Sequence, residues 1–304
     1  MKNVFVMMTL TTLVSATVFA TTVKILPTKY KTERLFSNSN IEKLIRQKFD
    51  VESFREVRVQ VITKNQNVDH LIVLLLKKGL HGVTVASLPI DEKLNSLSAA
   101  KFDGLTAEDL SQQVRTSGAP KCPNPEVEFI SFAPNDDEFE VGIAKDVATE
   151  AKSKNLVTIE LYREAATSQA WLDYMSCPKL KGNFYDGDSN PQVVVTNDGV
   201  INSTEFTTLL PKAFRQKVVN IWLACQAFNE PMLPSVMTDA QSQKFAAGVN
   251  NLQIGPSDQA AKCTMIAGIN GQPLTKSFDD CYKKLDVPED HWGFAGPGAD
   301  FLGQ

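Results

Sequence analysis

At 304 residues, 43% hydrophobic and 22% charged, the chain has the composition of an ordinary globular protein, with length for one large or two modest domains. Its 31 Lys and Arg against 35 Asp and Glu leave a formal net charge of -4, and no basic cluster interrupts that balance. Both features speak against a nucleic-acid binder.

The N-terminus reads as a secretory signal peptide over residues 1–20. Lys2 supplies the positive region, Val4 to Val18 the apolar core, and Val18-Phe19-Ala20 the small residues of a cleavage site. The apolar core is short and broken by threonines, and no second span follows, so a membrane anchor fits less well. The mature chain is expected to begin near Thr21, in the periplasm or outside the cell, with no membrane partner. Export allows disulfides to persist. Cys122 and Cys177 each lie just ahead of a strand-like run, and Cys263 and Cys281 fall in two successive helical stretches. Pairs Cys122–Cys177 and Cys263–Cys281 are therefore expected, leaving Cys225 as the odd thiol, although spacing alone leaves the connectivity open.

In chain order, an irregular lead-in from Thr22 to Phe36 precedes a short amphipathic helix, Ile41 to Phe49, capped by Asn38-Ser39-Asn40. Val57 to Thr63, His70 to Leu76 and Val83 to Ile90 read as strands of a small antiparallel sheet, with turns at Asn65-Gln66-Asn67 and Lys77-Lys78-Gly79. Lys101 to Val114 reads as a helix opened by Thr106-Ala107-Glu108-Asp109. The breaker-rich stretch Ser117 to Pro125 separates a small α+β N-terminal domain (25–118) from a second domain (122–304) with an irregular tail. There strand-like and helix-like runs alternate: Val127 to Phe132, Phe139 to Lys152, Leu156 to Tyr162, Thr167 to Met175 and Leu180 to Tyr185. A hairpin, Gln192 to Ile201, turns at Asn197-Asp198-Gly199, a helix runs from Ser203 to Phe214, and an apolar strand ends at Cys225. Alternation of this kind gives an α/β fold with a mostly parallel sheet flanked by helices. Ligands of such sheets gather beyond the carboxyl ends of the strands, where Cys225 would sit.

Several stretches together resemble the core of the caspase-like cysteine peptidases: Cys177-Pro178-Lys179-Leu180-Lys181-Gly182, Gly187-Asp188-Ser189, Asp198-Gly199, Ala224-Cys225-Gln226-Ala227-Phe228-Asn229, and Gly248 to Gly255-Pro256-Ser257. The resemblance spans roughly Glu126 to Asp280. It implies strand order 2-1-3-4, Cys225 at the nucleophile position, and a cleft lined by Gly187, Ser189 and Gln226. In that family a His-Gly pair ends the neighbouring strand. Here the resemblance places Asp188 at the histidine position, with Ser189 for the following glycine. A carboxylate disfavours the thiolate that nucleophilic chemistry needs. The expectation is a degenerate relative that uses its cleft for binding, with an active cysteine peptidase as the alternative.

Only His70, His81 and His291 could replace the missing imidazole. His81-Gly82 follows the apolar run Leu71 to Leu76 and so imitates the strand-then-His-Gly pattern, but its place before the alternating section predicts a surface turn. Scattered histidines and the lack of Cys-x-x-Cys argue against zinc, and no cofactor is expected. Calcium, and with it a calcium-dependent interaction protein, is weighed on two half-loops: Asp198-Gly199 with Glu205, and Asp186 to Asn190. Each lacks the other half's ligands. Asn135-Asp136-Asp137-Glu138 reads as a solvated turn at a helix start. If Asp136 and Asp137 line the cleft, the pocket is acidic and suits a basic peptide or protein segment.

Overall fold

The computed structural model describes residues 21–26, 37–64, 67–91, 96–97, 101–102, 119–209, 218–229, 231–232, 244–248, 252–287 and 291–295. The expected signal peptide and nearly all of the expected Lys101–Val114 helix lie outside them. Two sheets organise the rest. The first is built from β1 (Thr22–Ile25), β2 (Phe54–Lys64), β3 (Asn67–Lys77) and β4 (Val83–Asp91), with the two-residue strands β5 (Ser96–Leu97) and β6 (Lys101–Phe102) both pairing with β4. β1 runs parallel to β2 and every other pair is antiparallel. The lead-in expected to be irregular thus begins as an edge strand, and Lys101–Phe102 is strand rather than helix.

Helix α1 (Asn38–Lys48) is capped by Ser37, whose side chain accepts the Asn40 N–H, one residue ahead of the expected cap. Its buried Ile41 and Ile45 pack on Val57, Val59, Leu71, Val73 and Leu75. The opposite face of the same strands, Ile62, Ile72, Leu74, Leu76, Val83 and Val85, packs on Val193, Val195 and Val200 of a second hairpin. That hairpin is β10 (Val193–Thr196) with β11 (Gly199–Asn202), joined by the expected turn. β3 therefore lies between two apolar layers, which is why Leu71 to Leu76 shows no polar alternation.

The second sheet comprises β7 (Phe129–Ala133), β8 (Thr158–Tyr162), β9 (Gly182–Asp186), β12 (Val219–Leu223), β13 (Lys244–Gly248) and β14 (Trp292–Ala295), in the order β14-β13-β12-β9-β7-β8. All neighbours are parallel except the antiparallel edge strand β14. This is the expected α/β architecture, with the four strands counted from β7 running 2-1-3-4. Helices α3 (Ser168–Met175) and α4 (Ser203–Leu209) cover one face. There Trp171, Leu172, Met175 and Phe206 meet Ile130, Phe132, Tyr185 and Trp222. On the other face α2 (Glu138–Ser153), α5 (Pro256–Ile269) and α6 (Leu274–Lys284) contribute Val141, Val147, Ala261, Met265 and Tyr282 against Phe129, Phe184 and Ile221. Covered on both faces, β7, β9 and β12 are buried at every residue. Thr167 caps α3 as expected, accepting the Ala170 N–H. Among the described residues no helix is long and apolar enough to cross a membrane.

Cys122 is bonded to Cys177 and Cys263 to Cys281, leaving Cys225 as the free cysteine. The first bridge ties the segment before β7 to the segment before β9; the second ties α5 to α6. Their sequence separations are 55 and 18 residues. Chain-entropy arithmetic gives about 4 kcal/mol for the longer loop and about 3 kcal/mol for the shorter. Replacing Cys122 and Cys177 together by alanine is expected to lower the unfolding free energy by about 4 kcal/mol, and the Cys263/Cys281 pair by less, measured by urea titration of the oxidised proteins.

Candidate functional site

β9 and β12 run side by side with Asp186 opposite Leu223, so the loops that follow them emerge at one edge. One carries Gly187-Asp188-Ser189 and the other Ala224-Cys225-Gln226. All six residues except Gln226 are buried. Gln226 holds a left-handed backbone (φ 61°), which turns the chain sharply after the cysteine. Gly187 has no room for a side chain: a Cβ there would meet the Tyr185 hydroxyl at 2.7 Å.

The tip of the β3–β4 hairpin enters this edge. Its turn is made by Lys78-Gly79, with Gly79 at φ 67°. The Cys225 N–H donates to the His81 carbonyl (2.6 Å), the His81 N–H to the Leu252 carbonyl (2.9 Å), the Ile254 N–H to the Gly79 carbonyl (3.1 Å) and the Val83 N–H to the Ser189 carbonyl (3.2 Å). Gly82 forms a parallel bridge with Ser189, and Leu80 an antiparallel one with Gln253. The Ser189 hydroxyl donates to the Cys225 carbonyl. The hairpin tip is thus held by main-chain pairing, as an added peptide strand would be.

His81, expected on a surface turn, is fully buried here. The turn that carries it is a surface feature only of the isolated sheet; docking puts it inside. Its Nε2 lies 3.1 and 3.2 Å from the two Asp258 oxygens. Its Nδ1 has no hydrogen-bond partner and sits 3.7 Å from Glu140 Oε1 and 3.9 Å from Asp186 Oδ1. Burial works to lower the imidazole pKa. The charge and hydrogen bond of Asp258, with Glu140 and Asp188 behind it, outweigh burial and raise it to about 9. Asp258 belongs to the first turn of α5 and also accepts the Gly255 N–H at 2.6 Å.

The Cys225 sulfur accepts the Leu252 N–H at 3.0 Å and lies beside Gly82, where a Cβ would approach it to 3.5 Å. No hydrogen bond joins it to an imidazole. Burial pushes the thiol up to about 12; Asp188 adds to this, while the Leu252 N–H and Lys77 pull the other way. The resemblance puts Asp188 at the place of the thiol's histidine partner. It is instead taken by Arg55 Nη2 (2.5 Å) and Asn135 Nδ2 (2.9 Å), since a guanidinium outcompetes a thiol for a carboxylate. Asp188 therefore acts on the sulfur only through space.

Arg55 bridges Asp188 and Glu140, two fully buried carboxyl groups, and its own pKa is raised despite burial by their charges. Glu140 is raised by burial, against the pull of Arg55 and His81. Asp186 is raised well above the usual carboxyl range by burial, with Asp258 and Glu140 reinforcing it, and neither of its oxygens has a hydrogen-bond partner. The cleft is acidic, but not through the residues expected. Asp137 caps α2, accepting the Phe139 and Glu140 N–H groups. Asp136 stays at the rim, 3.8 Å from Lys24. Both line a surface cavity of about 230 Å³ with Thr22, Lys24, Arg55, Glu56 and Asn135. The half-loop residues Asp198 and Glu205 are engaged as local braces: Asp198 accepts from Ser168 and Thr196, and Glu205 from the Asn202 N–H.

No protein-family model and no curated protein matches the chain. Nothing local in the sequence marks Arg55, Glu140, Asp258 or Leu252 as site residues, and Asp186 stood out only as part of a calcium half-loop. The one available signal was the six-residue apolar run ahead of His81-Gly82, whose lack of alternation marks a strand covered on both faces.

Two outcomes are expected. In the native protein Cys225 should react with iodoacetamide far more slowly than a free thiol between pH 7 and 9, by mass spectrometry of the alkylated peptide, and at ordinary thiol rates once unfolded. Arg55→Met should cost about 4 kcal/mol by leaving Glu140 and Asp188 uncompensated. Adding Asp188→Asn should recover part of that loss in guanidinium titrations.

Proposed function

We propose that this protein is an exported, non-catalytic relative of the caspase-like cysteine peptidases whose cleft binds an extended basic strand, a place held in this state by its own β3–β4 hairpin. The observation that carries the reading is the main-chain pairing of Gly79, His81 and Val83 with Ile254, Cys225, Leu252 and Ser189 directly over the free thiol. The parallel strand order and the free cysteine at the end of β12 support the relationship. Export rests on the apolar N-terminal segment and agrees with two disulfides.

A basic strand fits because both cations inside the cleft, Arg55 and His81, come from the first sheet, whereas Glu140, Asp186, Asp188 and Asp258 come from the second part of the chain. A latent peptidase that opens when the hairpin withdraws is the second reading, favoured by the position of Cys225. It meets a chemical difficulty: withdrawal removes His81 as well, leaving carboxyl groups and no imidazole to activate the thiol.

The test uses His81→Asp, which sets a carboxylate against Asp258, Glu140 and Asp186 and so undocks the hairpin. A peptide copying residues 77–85 is expected to bind this variant and not the wild type, by fluorescence anisotropy, and neither protein should hydrolyse fluorogenic peptides with basic, acidic or apolar side chains. Turnover that disappears in a Cys225→Ala background would establish the latent peptidase instead.

A further inference from the structure

We propose that the hairpin tip is fastened in the cleft by a divalent transition-metal ion, zinc by the character of its donors, held by His81, Asp186 and Asp258. The three residues arrive from three separate places: the β3–β4 tip, the end of β9 and the first turn of α5. Each is fully buried, and one ligand atom from each lies within 4.8 Å of the other two. This is more than a gathering of acids. Among the described residues both oxygens of Asp186 and Nδ1 of His81 are buried without a hydrogen-bond partner, and Nδ1 stands 3.9 Å from Asp186 Oδ1.

A carboxyl group enclosed with neither oxygen satisfied is costly, and native structures answer such groups with a partner or an ion. No basic side chain takes that part among the described residues: the Arg55 hydrogen bonds go to Glu140 and Asp188. Charge points the same way. Among the described residues Arg55 is the one permanently charged base bonded to any of the four carboxyl groups, so a dication offsets what the hairpin alone leaves over. One imidazole nitrogen with carboxylate oxygens suits zinc and its neighbours, whereas calcium prefers an all-oxygen set. Glu140 stands next to the group but is already paired with Arg55, which leaves it outside the ligand set. The competing occupant is hydrogen: His81 protonated onto Asp258, with Asp186 neutral.

The inference does not depend on the peptidase relationship, and peptide binding and hydrolysis are measured separately from it. The full chain, freed of metal by dialysis against chelator, is titrated with zinc chloride, with calcium and magnesium chloride as further arms. About one zinc per chain is expected to survive gel filtration by elemental analysis, with the Tm raised by about 5 °C at a hundredfold excess over the Kd. Asp186→Asn, which keeps shape and removes the carboxylate, and His81→Gln should each lose the retained zinc and the shift, while His291→Gln keeps both. Wild-type protein retaining less than about a tenth of an equivalent, a response to calcium rather than zinc, or an Asp186→Asn variant that still holds zinc would each overturn the proposal.

Discussion

The structure turns on four main-chain hydrogen bonds between the β3–β4 tip and the loops at the carboxyl edge of the parallel sheet. Without them the first sheet would meet the rest of the chain mainly through the β10–β11 hairpin and the Arg55 and Arg58 side chains. With them, the backbone groups after β12 and ahead of α5 are satisfied by another strand rather than by water. The same bonds set the state of Cys225. Its N–H is spent on His81, its carbonyl on Ser189 and its sulfur on Leu252. A nucleophile needs an open face, and this one is closed on every polar atom.

Electrostatics follows from that placement. Parallel strands feed their carboxyl-end loops into one small volume, and here those loops, with α2 and α5, bring Glu140, Asp186, Asp188 and Asp258 together. Acids so close cannot all be ionised in a dry interior without positive partners. Arg55, at the start of β2, supplies a permanent charge, and His81, at the hairpin tip 26 residues on, supplies that of the proton or metal ion it holds. Arg58 extends the arrangement: it accepts nothing, donating to Glu56, to Asn135 Oδ1 and to the Thr196 carbonyl, and so ties β2 to the turn after β7 and to β10.

Much of the architecture was legible in the sequence because it is written in local periodicity. The strand and helix alternation after Cys122, the hairpin turn at Asn197-Asp198-Gly199, the Thr167 cap and both cysteine pairs are consequences of neighbours a few residues apart or of strand ends that a parallel sheet brings to one side. The site was not legible in the same way. His81 reads as a turn residue by every local rule, and only the uninterrupted apolar run before it hints that the turn is inserted. Asp188 was assigned to the sulfur because nothing nearby in sequence announces Arg55, 133 residues away, as its partner. Asp258 looks like a helix-start acid, which it is, and its second role needs the hairpin in place. Long-range pairing of charged groups leaves no period to read.

The docking also limits what can take the hairpin's place. Lifting the tip removes His81 from Asp258, Glu140 and Asp186 at once, and any tilt of β2 that follows takes Arg55 from Glu140 and Asp188. The carboxyl groups left behind sit at the edge of a sheet whose two faces are packed with aromatic and aliphatic side chains, so they cannot disperse into solvent without disrupting it. An apolar or acidic strand offering the same backbone bonds would therefore bind poorly, because main-chain pairing alone does not answer the buried charge. On the function proposed above, selection for a basic strand would come from the penalty of leaving acids unpaired, and the backbone bonds would supply register rather than choice.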